Sequence, residues 1–506
     1  MVIPHPQRPS DTADGSEVVP LPTEIYESIL DELSDSPKTL CACALVCHLF
    51  AQRAQQLLFS SICLKRPTKV YKPDLGIRSY VWPSMRFLQI ISSSPHLAGY
   101  VKSLIVSDQD DLRKYYREEL SWIRSDKAVH QILPRLDNLK ELGLKGNIRG
   151  GRLNCRKWGD SLRAGILGRC SSESLVAINL VHVRNVPLSF LSLAPRLEKL
   201  ELQSVLFVPE FNHSTAGEVF DLQKVEGRSP TVRLQHLAVT WSSSDEWHTF
   251  YPWLVSLQSL THIKTLDLHV NFEDCLDEEA IQGGMQAISN LLRRCSGTVE
   301  TLRLLIPEYT RMANSPSQAL PFQLDILAMP ALRILDLHCC IWSRRQCQAV
   351  SVSGTLSAPS AGRLPETALR TLSSIISQTL PLETCAGERD SIAPRQRLDR
   401  LELTLLMDDF EEDTTPEFES IGWEEFITIT GALAGVGRLE SEQEAMERDS
   451  RSLEEREGLV EKGFVRRPGA TSVTVTTIIP GTTDGYLEGL MAEKLQRLEQ
   501  KGVECI

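Results

Sequence analysis

LKELGLKGN (residues 139–147), IKTLDLHVN (263–271) and LRILDLHCC (332–340) share one pattern of aliphatic positions at 1, 4 and 6, closed by Asn or Cys at position 9. Residues 4 and 6 of such a unit fall on the same face of a strand, because side chains alternate with a period of two. The polar or small ninth residue suits a turn, where a side chain ties the main chain by hydrogen bonds. Six further segments repeat the aliphatic core without the closing residue: VKSLIV from Val101, LVAINL from Leu175, LEKLEL from Leu197, LQHLAV from Leu234, VETLRL from Val299 and LDRLEL from Leu398. Successive starts lie 38, 36, 22, 37, 29, 36, 33 and 66 residues apart, the last being twice 33. About four matches would arise by chance if aliphatics filled a fifth of the chain, so the three completed units carry more weight than the count.

Between the units lie amphipathic stretches that suit helices: GDSLRAGILGRC (159–170), LDEEAIQGGMQAISNLLRRC (276–295) and PETALRTLSSIISQTL (365–380). Strand, turn and helix therefore alternate, which predicts an α/β fold. The pattern resembles leucine-rich repeats, whose stacked units bury their apolar edges on one another. That resemblance implies an irregular solenoid with strands on a concave face and helices on a convex one. An α/β sheet with helices on both faces stays open as the alternative. Two stretches, 209–230 and 350–365, read as loops.

Upstream of the repeats the chain reads VVPLPTEIYESILDELSDSPKTLCACALVCHLFAQRAQQLLFSSICL. Three helices are predicted. In the first, Pro22 suits the opening turn, Glu24 suits the positive N-terminal end, and Ile25, Ile29, Leu30 and Leu33 make an apolar face. Ser36-Pro37 is a cap followed by a first-turn proline, after which Leu40, Ala44 and Cys47 recur at helical spacing. The third helix carries Phe50, Ala54, Leu57 and Leu58.

Leu21-Pro22-Thr23-Glu24-Ile25, followed by Ile29-Leu30, Leu33, Leu40, Ala44, Val46-Cys47 and Phe50, resembles the F-box motif. His48 stands where the family usually has a basic residue, and Phe50 where Trp is common. The resemblance implies docking on a Skp-type adaptor, and through it on a cullin, with Leu21, Pro22, Ile25, Val46, Cys47 and Phe50 as the adaptor-binding positions. It further implies that the repeats recruit an unidentified protein target for ubiquitination, with catalysis supplied elsewhere. Two readings remain: an adaptor subunit of a ubiquitin ligase, or an interaction scaffold whose three helices only cap the repeats.

The resulting organisation is a disordered leader (1–17), an F-box-like helical module (18–64), a leucine-rich-repeat-like array (65–407) and an acidic loop segment (408–437). A polar helix, a strand and a capping helix close the chain (438–506). Residues 408–425 hold nine acidic side chains and no basic one. In the last helix Leu487, Leu490, Met491, Leu495 and Leu498 form one stripe, with Gly502 placed to end it.

Composition narrows the function class. A formal charge of −12 argues against long-range attraction to nucleic acid or anionic membranes. No run approaches the roughly 20 apolar residues of a membrane span, and the first fifteen residues lack a secretory core. An intracellular protein, cytoplasmic or nuclear, is expected. On that basis the sequon at Asn212 is set aside, and the thirteen cysteines read as reduced thiols buried as small hydrophobes. Cys41, Cys43 and Cys47 lack the paired spacing of zinc modules and read as packing. Gly143, Gly146, Gly150 and Gly151 beside Lys145, Arg149 and Arg152 fit no phosphate cradle and read as a repeat turn. No nucleotide-binding, zinc-protease or serine-hydrolase signature occurs, so neither an enzyme nor a cofactor or metal site is expected.

Overall fold

The computed structural model describes residues 22–72, 77–108, 121–147, 152–208, 232–241, 244–256, 258–270, 278–306, 329–343, 398–408, 426–428, 430, 472–478, 485–500 and 503–505. The predicted helix at 365–380, the loops at 209–230 and 350–365, and the polar helix at 438–462 lie outside them. So do the leader and nearly all of the acidic segment.

Three helices open the chain: α1 (Thr23–Glu32), α2 (Pro37–Cys43) and α3 (His48–Ser60). Strand β1 (Ser61–Leu64) follows directly, and then an antiparallel ribbon of β2 (Thr68–Lys72) and β3 (Ile77–Val81). Helix α4 (Pro83–Ser93) leads through a 3-10 turn at Pro95–Tyr100 to β4 (Ser103–Ser107). Short helices α5 (Trp122–Ser125) and α6 (Val129–Ile132) precede β5 (Glu141–Lys145) and β6 (Leu153–Asn154). Helix α7 (Asp160–Cys170) is followed by β7 (Ala177–Val181), β8 (Val183–Pro187) and the short α8 (Ser189–Ser192). Next come β9 (Lys199–Gln203), β10 (Leu206–Val208), β11 (His236–Trp241), α9 (Ser244–Ser256), β12 (Thr265–Val270) and α10 (Glu278–Cys295). Strands β13 (Thr301–Ile306), β14 (Ile334–Ser343), β15 (Arg400–Asp408) and β16 (Ser472–Ile478) continue to α11 (Gly485–Glu499) and β17 (Glu504–Cys505).

The architecture is α/β, built on one large parallel sheet. Twelve strands lie in the order β1-β4-β5-β7-β9-β11-β12-β13-β14-β15-β16-β17, so strand order follows chain order throughout. Strands β6, β8 and β10 form a separate small parallel sheet. All nine aliphatic units become strands of the large sheet, and the third residue of every unit pairs with the third residue of the next. Ser103, Glu141, Ala177, Lys199, His236, Thr265, Thr301, Ile334 and Arg400 therefore stand side by side. Register is identical although the spacing between units ranges from 22 to 66 residues. A slip of one residue would turn every aliphatic side chain to the opposite face, so burial enforces the pairing.

A main-chain junction repeats with the same regularity. The carbonyl at position 2 of one unit accepts the N–H groups at positions 2 and 3 of the next, as Lys102 does from Lys140 and Glu141, and Lys264 does from Glu300 and Thr301. The same double acceptance recurs at Lys140, Val176, Glu198, Gln235, Glu300 and Arg333. After the strands, the N–H groups of Asp108, Gly146, His182 and Ser204 donate to Lys145, Val181, Gln203 and Thr240 of the next unit. His182 and Ser204 take positive φ there. At these units main-chain hydrogen bonds tie the turn after the strand to the next unit.

Positions 1, 4 and 6 feed one continuous core. Leu200, Leu237, Leu266, Leu302, Leu335 and Leu401 are fully buried in neighbouring strands. The helices cover that side, with Ile166, Leu254, Ile288 and Leu291 in the same core. Positions 3, 5 and 7 face the other way, and from β9 to β14 they are mostly half-buried, with Lys199, Gln203 and Arg303 exposed and Asp336 buried. At the C-terminal end β16 pairs with β15 and β17 with β16, and Leu498 of α11 is buried beside Val475 and Val503. The rest of the predicted stripe is less well accounted for: Leu495 is partly buried, and the side chains of Leu487, Leu490 and Met491 lie outside the described ones.

Candidate functional site

Helices α1–α3 have their own small core, separate from that of the sheet. Leu30, Leu40 and Ala54 are buried at its centre, with Leu33, Cys43, Ala44, Phe50, Leu57 and Leu58 packed around them. Two interactions orient α1 on α3. Arg53 donates from Nε and a terminal nitrogen to the two Asp31 carboxylate oxygens at 2.8 and 2.6 Å, and the Tyr26 and Phe50 rings stand 5.5 Å apart. The hydrogen bond to Asp31 raises the Arg53 pKa above its usual value.

The apolar side chains of α1 split into two stripes. Tyr26, Leu30 and Leu33 follow i, i+4, i+7 toward the core, whereas Ile25 and Ile29 form a second i, i+4 pair that faces outward. The expected single face of Ile25, Ile29, Leu30 and Leu33 is therefore corrected. Helix α2 begins as anticipated at Pro37, with the Ser36 hydroxyl 2.7 Å from that of Thr39, but it ends at Cys43 and not a turn later. Residues 44–46 form a turn, and Cys47 is extended at the N-cap of α3. The break lifts Leu45 and Val46 off the module, leaving them 88% and 68% exposed.

The positions that the F-box resemblance implies for adaptor binding differ in exposure. Ile25 is 46% exposed, and Pro22, Val46 and Cys47 are exposed. Phe50 is half-buried against Tyr26 and belongs to the module core. Leu21 lies outside the described residues. Sequence reasoning missed Leu45 and Leu49 and assigned Ile29 inward; all three are exposed. Leu49 was findable as the apolar residue left over once the inner stripe of α3 is assigned, whereas the exposure of Leu45 follows from the early end of α2. Of the seven large hydrophobic side chains that stay exposed among the described residues, five belong to this module: Ile25, Ile29, Leu45, Val46 and Leu49. Met85 and Ile90 of α4 are the other two.

The cysteine expectation is also corrected. Cys155, Cys170 and Cys295 are buried, and burial pushes the Cys170 and Cys295 thiols up to about 12. Cys41, Cys47 and Cys63 are exposed. The short α2 and the turn after it leave no interior position for Cys41 or Cys47. Among the described residues no three His, Cys, Asp or Glu side chains gather in a metal-holding arrangement. No described helix is long and apolar enough to cross a membrane. Of the glycine cluster, Gly143 sits within β5 and Gly146 in the turn after it; a Cβ on Gly146 would lie 2.2 Å from the His182 carbonyl oxygen.

The second surface is the accessible face of the sheet. Position 5 of consecutive strands carries Glu201 (β9), Ala238 (β11), Asp267 (β12), Arg303 (β13), Asp336 (β14) and Glu402 (β15) in one row. Most of these charges are matched locally. Glu201 meets Lys199 at 2.7 Å and accepts from the Asn179 amide at 2.5 Å, while Arg400 pairs with Glu402. Asp336, itself buried, holds Arg303 at 3.2 Å and His338 at 3.0 Å. The bond to Asp336 raises the His338 pKa; burial, then the Lys199 charge, lowers that of His236; burial raises that of Asp267.

No protein-family model matches the chain, and no curated protein does. A crystal structure of a Bacteroides fragilis protein matches at 13% identity and a TM-score of 0.22, over 54% of this chain. The match spans 61% of that protein. At that level of similarity it bears on neither topology nor function.

Proposed function

We propose that this chain is a substrate-recruiting subunit of a Skp–cullin–F-box type ubiquitin ligase. Helices α1–α3 act as the F-box and dock on the Skp-type adaptor, and through it on a cullin. The sheet, taken as an irregular leucine-rich-repeat solenoid, holds a protein target on its accessible strand face. The chain itself performs no chemistry; it raises the effective concentration of the target near an enzyme bound elsewhere in the assembly.

One observation carries this reading: the concentration of exposed aliphatic side chains on the first three helices and the turn between α2 and α3, Ile25 and Val46 of the F-box motif among them. Scattered exposed aliphatics need no explanation, but five within 25 residues are a concentration that a partner should cover. The separate core of α1–α3 supports a module in its own right. A purely capping role would instead turn those side chains onto the sheet. In-register strands in chain order, joined by a repeated main-chain junction, support the solenoid. The test is co-purification of the full chain with a recombinant Skp-type adaptor. Formation of a stoichiometric complex is expected; its absence would favour the interaction scaffold without a ligase role.

A further inference from the structure

Resting on that reading of the chain as a target-recruiting subunit, we propose that the strand face over β9, β11 and β12 receives a protein segment bearing lysine or arginine. Its cationic end would sit over Ala238, between Glu201 and Asp267. Register places these three side chains next to one another on adjacent strands. With strands about 4.8 Å apart, the two carboxylates flank a gap of roughly 10 Å floored by a single methyl group. An ammonium or guanidinium seated there reaches a carboxylate on either side. A metal ion does not fit the same gap, since carboxylate ligands must approach it to about 2.3 Å.

The charge pattern says which side chain is wanting. Glu201, Asp336 and Glu402 each have a cation within ion-pair distance on this face. Among the described residues Asp267 accepts no hydrogen bond and forms no ion pair, and its nearest cationic neighbour in register, Arg303, is engaged by Asp336. Asp267 is thus a half-buried carboxylate with no cation at ion-pair distance, and burial raises its pKa more than the nearby charges of Arg303, His236 and His338 lower it. A cation delivered from outside offsets the deficit and leaves Asp267 ionised. The −12 charge of the chain favours the approach of a basic segment over that of an acidic one.

The proposal is tested by fluorescence anisotropy of the full chain with a labelled peptide of alternating lysine and threonine. Wild type is compared with Asp267→Asn, Ala238→Leu and Asp160→Asn. Asp160 is almost fully exposed on α7, away from this face, so its variant controls for diffuse attraction. Ala238→Leu keeps every charge and fills the seat, which separates the geometry from the net charge. The expected result is binding weakened about fivefold by either face variant and changed less than about twofold by the control. Equal affinity for all four proteins, or no binding by wild type, would overturn the proposal. Each variant is also co-purified with the Skp-type adaptor. Intact adaptor binding without peptide selectivity overturns the cation seat alone. Selective peptide binding without adaptor binding supports the seat and overturns the ligase reading.

Discussion

Replacing Ile25 and Val46 by alanine should cripple adaptor docking while leaving the module folded, and the size of the effect follows from their exposure. Complete burial of an aliphatic side chain is worth about 1.5–3 kcal/mol. Val46 is 68% exposed and Ile25 46%, so a partner that covers both has about two-thirds and one-half of that burial still to gain. The contributions are about 1–2 kcal/mol for Val46 and about 0.7–1.4 kcal/mol for Ile25. Truncation to alanine keeps a methyl group, so a combined loss of about 2 kcal/mol is expected, roughly 30-fold in affinity. Stability should barely move, because neither side chain contributes to the Leu30, Leu40 and Ala54 core. Leu30→Ala supplies the contrast: Leu30 is 1% exposed, and its removal should cost about 2–5 kcal/mol of module stability. Titration calorimetry against the Skp-type adaptor, paired with thermal melts, reads both quantities. Unchanged affinity of the Ile25→Ala, Val46→Ala protein for the adaptor would refute the argument that these side chains are exposed in order to be covered.

The remaining predictions concern the sheet. Leu266→Ala, at a fully buried position of β12, should cost about 2–5 kcal/mol in denaturant unfolding; a loss below about 1 kcal/mol would mean that the aliphatic row is not a packed core. Gly146→Ala should destabilise by about 1–3 kcal/mol, since its Cβ meets the His182 carbonyl oxygen and the Leu153 nitrogen, both main chain and unable to rotate away. A wild-type melting temperature in that variant would contradict the turn geometry. Two histidines give pH effects of opposite sign. The pKa of His338 is raised in the folded state by Asp336, so its contribution is full below the ordinary value of 6.5 and is lost as pH rises through the folded value. His236 is lowered, so it costs stability as pH falls below 6.5. Denaturant titrations across that range should show His338→Gln destabilising mainly on the acid side and His236→Gln relieving acid destabilisation; the reverse order would sink the assignment.

The parts of this fold legible in the sequence are those where burial dictates spacing over a few residues. Each aliphatic unit fixes its own strand, and helices 160–170 and 278–295 fall where apolar residues recur at helical spacing. What escaped was decided by contacts between segments far apart. Nothing in VTVTT said that Val473 would pair with Leu401, because threonine-rich strands carry too few aliphatics to match the unit. Phe59, Ile62 and Leu64 occupy positions 1, 4 and 6 of a further unit, hidden because an aromatic opens it and the preceding helix runs into it. On the first three helices the apolar residues were legible but their direction was not. Ile25 and Leu30 look equivalent on α1 until Arg53–Asp31 and Tyr26–Phe50 fix which stripe meets α3.

Constant register with variable spacing also separates what holds the sheet together from what its outer face presents. The junction formed by position-2 carbonyls is the same between Val176 and Glu198, units 22 residues apart, as between Arg333 and Asp399, units 66 apart. The length of the connection is therefore decoupled from the geometry of the sheet, as expected if closing a longer loop costs only about 0.6 kcal/mol per doubling. Sequence change can accumulate in the connections, and at positions 3, 5 and 7, without disturbing positions 1, 4 and 6. Core packing and surface chemistry are thus divided between alternate residues of the same strands. Leu266 and Leu268 hold β12 in the core, while Asp267 between them is free to be chosen for what it meets outside.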